Sequence, residues 1–285
     1  MLAIVPVANR PRHPRLRVPL AFQPPTLTSP TTLTVADADS RNLNLSAGQD
    51  YIIRITQPLT SVVGGQGGIR VVGNGARHVV LIGGEINIAA GRTTLGERRA
   101  LSFEGITGTV HVEGFYAYGA GLTEGIQFYD VGVAQVCNTR IDELVATDMA
   151  GFTDNHPDAI QLLKAGTQLK VDGLTARTTY QGILALSTDP QPCGPMELHR
   201  CQLIGRDDQL NNLHRGYLLN NSDTVPLTVG TDCWVTTRAD RPDLAYFANG
   251  QSSTAAGINL GARSAGDVVL ASMVGMNYAP RGFRF

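Results

Sequence analysis

The residues best equipped for chemistry in this chain gather around one string, Asn155-His156-Pro157-Asp158-Ala159-Ile160-Gln161. An imidazole, a carboxyl and an amide stand there just ahead of and within a short apolar alternation. Similar alternations begin elsewhere. Two residues before the first inward apolar side chain of each stand Arg99, Glu124, Asp158, Gln181 and Arg215. If those segments stack, the five make one column, with His156, Tyr180 and His214 beside it. Two chemistries fit such a set. Taking a proton next to a substrate carboxylate needs a cation to neutralise the carboxylate and a base, parts open to Arg215, His156 and Tyr180. Hydrolysis needs two carboxyls, one acid and one base or nucleophile, and Glu124 and Asp158 on successive strands would lie about 5 Å apart. Gln127, Gln161, Gln181, His214 and Arg99 remain as groups that bind substrate. A plainer reading stands beside both: Asp158 caps a turn after Pro157, His156 bonds a backbone carbonyl, and Gln161 pairs with Gln127 in a side-chain ladder.

Whether these residues meet depends on the repeat that carries them. Gly125-Ile-Gln-Phe, Ala159-Ile-Gln-Leu, Gly182-Ile-Leu-Ala, Gly216-Tyr-Leu-Leu and Gly257-Ile-Asn-Leu share a pattern, and Ala100-Leu-Ser-Phe is a looser copy. Their starts are 25, 34, 23, 34 and 41 residues apart. Each is a small residue leading an apolar alternation, which reads as a strand. A second strand follows each, as in Thr109-Val-His-Val-Glu-Gly, Gln168-Leu-Lys-Val-Asp-Gly and Asp267-Val-Val-Leu. Beyond it stands Gly84, Gly114, Asn138 or Gly173, residue types that accept φ > 0, so a tight left-handed bend is expected. A third apolar patch comes next, among them Phe115-Tyr116, Ile141 and Trp234-Val235.

Three short strands per turn with a sharp bend predict an all-β chain: a right-handed, single-stranded parallel β-helix of about seven coils. A β-sandwich would show hairpin signals every 8–12 residues and no fixed order of strand types. Residues 1–48, rich in Pro, Arg and Thr, read as an extended arm and cap, and residues 49–285 as the β-helix domain starting near Tyr51. Insertions at Ala89–Arg99, Thr147–Asp158, Arg206–Arg215 and Arg238–Ala256 fall mostly at one corner, where they would wall a lateral groove. His78, His111 and His199 are expected on the solvent face of their strands.

Composition narrows the partners. The net charge is -1 and charged residues make up 16%, which gives no footprint for nucleic acid or an acidic membrane. No stretch is long and apolar enough to cross a bilayer, and the N-terminal residues lack the apolar core of a secretory signal. The four cysteines show no metal spacing and are expected as buried free thiols. No metal or other cofactor is expected, and Asp207-Asp208 reads as a solvated loop.

On His156, Asp158 and Gln161 the chain resembles the pectate-lyase-like superfamily of right-handed parallel β-helix proteins, in which a His-x-Asp-x-x-Gln string often leads into a strand. As architecture the resemblance spans roughly residues 50 to 280. It includes polysaccharide lyases, glycoside hydrolases, epimerases and phage tailspikes, so it implies a carbohydrate partner and not a particular reaction. The chain departs from the enzyme families: it lacks the paired Asp-Asp with a downstream Gly-His-Gly of polygalacturonase-like hydrolases, its repeats lack the Arg-x-Pro-x-x-Arg of pectate lyases, and Trp234 is its one tryptophan. Three readings follow: a virion spike that engages, with or without cutting, a bacterial surface polysaccharide, a free polysaccharide lyase or hydrolase, and a structural decoration or adhesion module. The resemblance to tailspikes implies a homotrimer, contact with other virion proteins through the N-terminal arm, and a location on the virion or outside the cell.

Overall fold

The computed structural model of the chain describes residues 19–37, 41–61, 67–92, 94–145, 157–207 and 216–279. Its regular structure is almost entirely β, in one large sheet whose strands pair in parallel apart from one hairpin. The chain passes through three columns of strands in the order second, first, third, then returns to the second one layer on.

Alternation sends every second side chain to the same face, and parallel in-register pairing then sets like upon like. In the first column the stacked residues are Leu33, Ile53, Leu81, Val112, Val136, Val171, Leu198 and Val229. The second stacks Leu43, Val71, Phe103, Phe128, Leu162, Ala185 and Asn221. The third stacks Leu59, Ile86, Ala117, Ile141, Ala176, Leu203, Val235 and Leu260. All are buried except some at the column ends, where Leu260 is 62% exposed. Each layer is therefore covered by its neighbours, and among the described residues only the column ends lack a cover.

The small residues that lead the second-column strands have a packing cause. A Cβ on Gly125 would lie 2.7 Å from Cδ1 of Ile141 in the third column and 2.4 Å from the Ala159 carbonyl oxygen. The expected bend is present at Gly84, Gly114, Asn138 and Gly173, with φ of 95°, 71°, 43° and 85°. Arg200 and Asp232 also take positive φ, at 45° and 58°. Arg200 is held there by its Nε, which donates to Asp172 at 2.6 Å.

Several expectations need correction. Pairing begins before Tyr51, since Thr31–Val35 and Asn42–Asn44 already join the sheet. Ile258–Leu260 belongs to the third column, against Cys233–Thr236, while Tyr246–Ala248 continues the second. The segment Arg238–Ala256 is thus only partly loop, for it contains that strand and its antiparallel partner Gln251–Ser253. Asp267–Leu270 is no strand: the chain there turns back across the third column. His111 is fully buried between Gln135 and Glu113, while His78 and His199 are half-buried.

Both ends of the described chain strap the sheet from outside. The Ala21 amide donates to Asp172 at 2.5 Å and the Thr28 amide to Asp50 at 2.6 Å, so the segment before the first strand runs along the outer face of the first column. At the other end Asp267 pairs with Arg140 and Arg177, the Val269 amide donates to Thr175 Oγ1 at 2.9 Å, and the Gly275 amide donates to the Gly114 carbonyl at 2.8 Å. The Tyr278 hydroxyl bonds Glu113 and accepts from Asn138.

Candidate functional site

Four of the five expected column members line up, and in the next layer the register lies two residues later than counting gave, with Leu219 and not Tyr217 opposite Ile183. Arg99, Glu124, Asp158 and Gln181 are in-register partners on four successive strands of the second column. Arg99 Nε donates to Glu124 in an ion pair whose side chains are 18% and 5% exposed. Asp158, one layer on, has no such partner among the described residues. It is fully buried, and its Oδ2 accepts from Gln161 Nε2 at 3.1 Å. Its Oδ1 has no hydrogen-bond partner among the described residues. Burial first, and then the negative charge of Glu124, push its carboxyl well above the usual carboxylate range. A proton on Oδ1 would have no acceptor among the described residues.

Gln161 links this column to the outer face of the sheet. Ser102, Gln127 and Gln161 alternate with core residues and stack in register. Ser102 Oγ donates to Gln127 Oε1 at 3.2 Å, Gln127 Nε2 donates to Gln161 Oε1 at 3.1 Å, and Gln161 Nε2 reaches Asp158. The donors all point one way along the stack, ending on Asp158. The anticipated pairing of Gln127 with Gln161 is therefore real, and it is part of a longer chain.

The same outer positions continue through Leu184, Asn220 and Phe247. Phe247 packs against Tyr217 with ring centroids 4.7 Å apart. This face thus passes from amides and a hydroxyl to an aromatic pair. Sequence reading missed Ser102, Asn220, Tyr217 and Phe247 as members of it. Ser102 could have been found by carrying the Gln127–Gln161 position into the copy led by Ala100, but in the copy led by Gly216 that position falls on Leu218, two residues short of Asn220, and Phe247 lay in a segment read as loop.

Tyr180 stands beside Asp158. Burial, then the Asp158 charge, push its phenol up to about 12, so it is a neutral hydroxyl at physiological pH. Its amide donates to Thr178 Oγ1 at 3.0 Å. His156, His214 and Arg215 lie outside the described residues, as do most of the two insertions that contain them. The four cysteines are free and buried. Among the described residues no helix is long and apolar enough to cross a membrane.

No family model, curated protein or solved structure matches the chain.

Proposed function

We propose that this protein is a right-handed parallel β-helix of about seven coils, of the virion-spike kind, and that the outer face of its second column engages a bacterial surface polysaccharide. The observation that carries this reading is the aligned chain from Ser102 through Gln127 and Gln161 to Asp158, continued by the Tyr217–Phe247 pair. A glycan offers hydroxyls at repeated intervals and apolar sugar faces between them. A ladder of side-chain amides meets the first, and aromatic rings meet the second. The rise of one layer, about 4.8 Å, is close to the length of a sugar residue, so one extended chain can lie along several layers. The trimer, the contact of the N-terminal arm with other virion proteins and the location on a virion or outside the cell belong to the same proposal.

Position on the face is tested by variants. Q127A and F247A are expected to weaken binding to a captured polysaccharide at least tenfold, while E197A, on the outer face of the first column, leaves it unchanged. Equal affinity for all three would place the glycan elsewhere.

One observation favours a second reading, cleavage by hydrolysis. Glu124 and Asp158 are adjacent carboxyls in unlike settings, one paired with a cation and one whose burial pushes it well above the usual carboxylate range. Asp158 would protonate the leaving glycosidic oxygen, with Glu124 as base or nucleophile, once neighbouring groups moved to admit substrate. Elimination would rest on Arg215 and His156, which lie outside the described residues, since Tyr180 keeps its proton. New reducing ends without absorbance at 235 nm, lost in D158N, would establish hydrolysis. A rise at 235 nm would establish elimination instead.

A further inference from the structure

Two of the four cysteines occupy matching positions on successive layers. Cys201 and Cys233 each stand one residue before the in-register partners Gln202 and Trp234 of the third column. Both are buried, and both line a small void of about 10 Å³ together with Leu198, Leu203, Leu219 and Trp234. The other two thiols have no such neighbour. Cys137 pairs in register with Glu113 and Asp172, and its thiol faces the Phe22 carbonyl, while the Cys193 thiol faces the Leu162 carbonyl.

We propose that Cys201 and Cys233 are a redox-active pair, reduced here, that closes to a disulfide across two layers when the protein meets an oxidising thiol buffer. In-register neighbours in a parallel sheet have Cα atoms about 4.8 Å apart, inside the roughly 4.4–6.8 Å that a disulfide spans. Their Cβ atoms must approach by roughly 1 Å, and the void beside them gives room for it. The exchange is balanced with oxidised glutathione. One cysteine thiolate attacks the glutathione disulfide and releases one glutathione. The other thiolate attacks the mixed disulfide and releases the second. The two cysteine protons end on the two glutathione thiols, so one disulfide is reduced as one is formed.

Burial raises both thiols, and each would be raised further by the other's ionisation or by a nearby carboxylate, Cys233 for Cys201 and Asp232 for Cys233. The exchange is therefore slow unless these layers open transiently. The bond would tie the four-residue strand Cys233–Thr236 to the ten-residue strand Met196–Gly205, near the C-terminal end of the columns, where the other strands are three residues long. A protein that passes from a reducing to an oxidising compartment would be locked there after assembly.

The test is a thiol count on the full chain after incubation with oxidised glutathione, in mild denaturant well below the unfolding transition. The count in full denaturant is expected to fall from four to two, with a mass loss of about 2 Da on a peptide pair joining Cys201 to Cys233. The melting temperature should rise by about 5–10 °C. C201S should keep its three thiols under the same treatment. Four thiols persisting in the wild type, a bond mapped to Cys137 or Cys193, or loss of two thiols in C201S would overturn the proposal.

Discussion

Asp158 and Glu124 occupy equivalent positions on adjacent strands, yet among the described residues only Glu124 has a cation to balance it. The stack repeats position without repeating environment, because loop residues and neighbours in the third column differ from layer to layer. That inequality sets how the two carboxyls respond to pH and substitution.

Asp158 titrates higher in the folded than in the unfolded chain. Its contribution to stability is fully present below the unfolded value of about 3.9 and is lost as pH rises toward the folded value. D158N has no proton to lose, so it should gain on the wild type by about 1.4 kcal/mol per pH unit across that interval. Urea midpoints from pH 4 upward read this directly. Parallel profiles would mean that Asp158 is ionised in the fold.

The Arg99–Glu124 pair is nearly dry. R99M leaves Glu124 as a buried charge and should cost about 3–5 kcal/mol, whereas R99M/E124M should recover most of that loss. A double-mutant cycle on equilibrium unfolding gives the coupling. Additive losses would show that the pair contributes little to the fold.

Asp267 holds the returning C-terminal segment. Burial pushes its carboxyl up, but hydrogen bonds from Arg177 and Arg140 outweigh this and hold it below the usual range. Its contribution is present above the unfolded value and is lost as pH falls through the folded one. D267N should therefore cost about 2 kcal/mol at pH 7 and match the wild type at low pH. An undiminished gap at pH 2 would assign the loss to packing.

Gly114 lies under the Tyr278 ring with φ of 71°, and an added Cβ would sit 2.1 Å from the ring. G114A should cost about 1–2 kcal/mol for the backbone and more for displacing Tyr278. In a Y278A background only the backbone share should remain. The same cost in both backgrounds would remove Tyr278 from the explanation.

Much of the sheet was legible because apolar alternation and a left-handed bend recur at Gly84, Gly114, Asn138 and Gly173, and stacking converts such repetition into register. The Arg99–Glu124–Asp158–Gln181 column followed from counting alone. Counting failed where the repeat loosens. Ile258–Leu260 carries the pattern of a second-column strand but sits in the third, because Tyr246–Ala248 had already filled that place. His111 alternates like a surface residue and yet is buried, since the segment from Ala21 to Thr28 runs over that face. A strap that docks from far along the chain leaves no local periodicity. The unequal pairing of Glu124 and Asp158 was likewise invisible in residue types.

Engagement of a glycan is tested most directly by the binding of purified wild-type protein to a panel of bacterial capsular and O-antigen polysaccharides, with uronate-rich polymers included. Saturable binding to one or a few of them, competed by their own oligosaccharides, is expected. No saturable binding across the panel by a folded protein would contradict the polysaccharide reading and leave the ladder from Ser102 to Asp158 as a purely structural device.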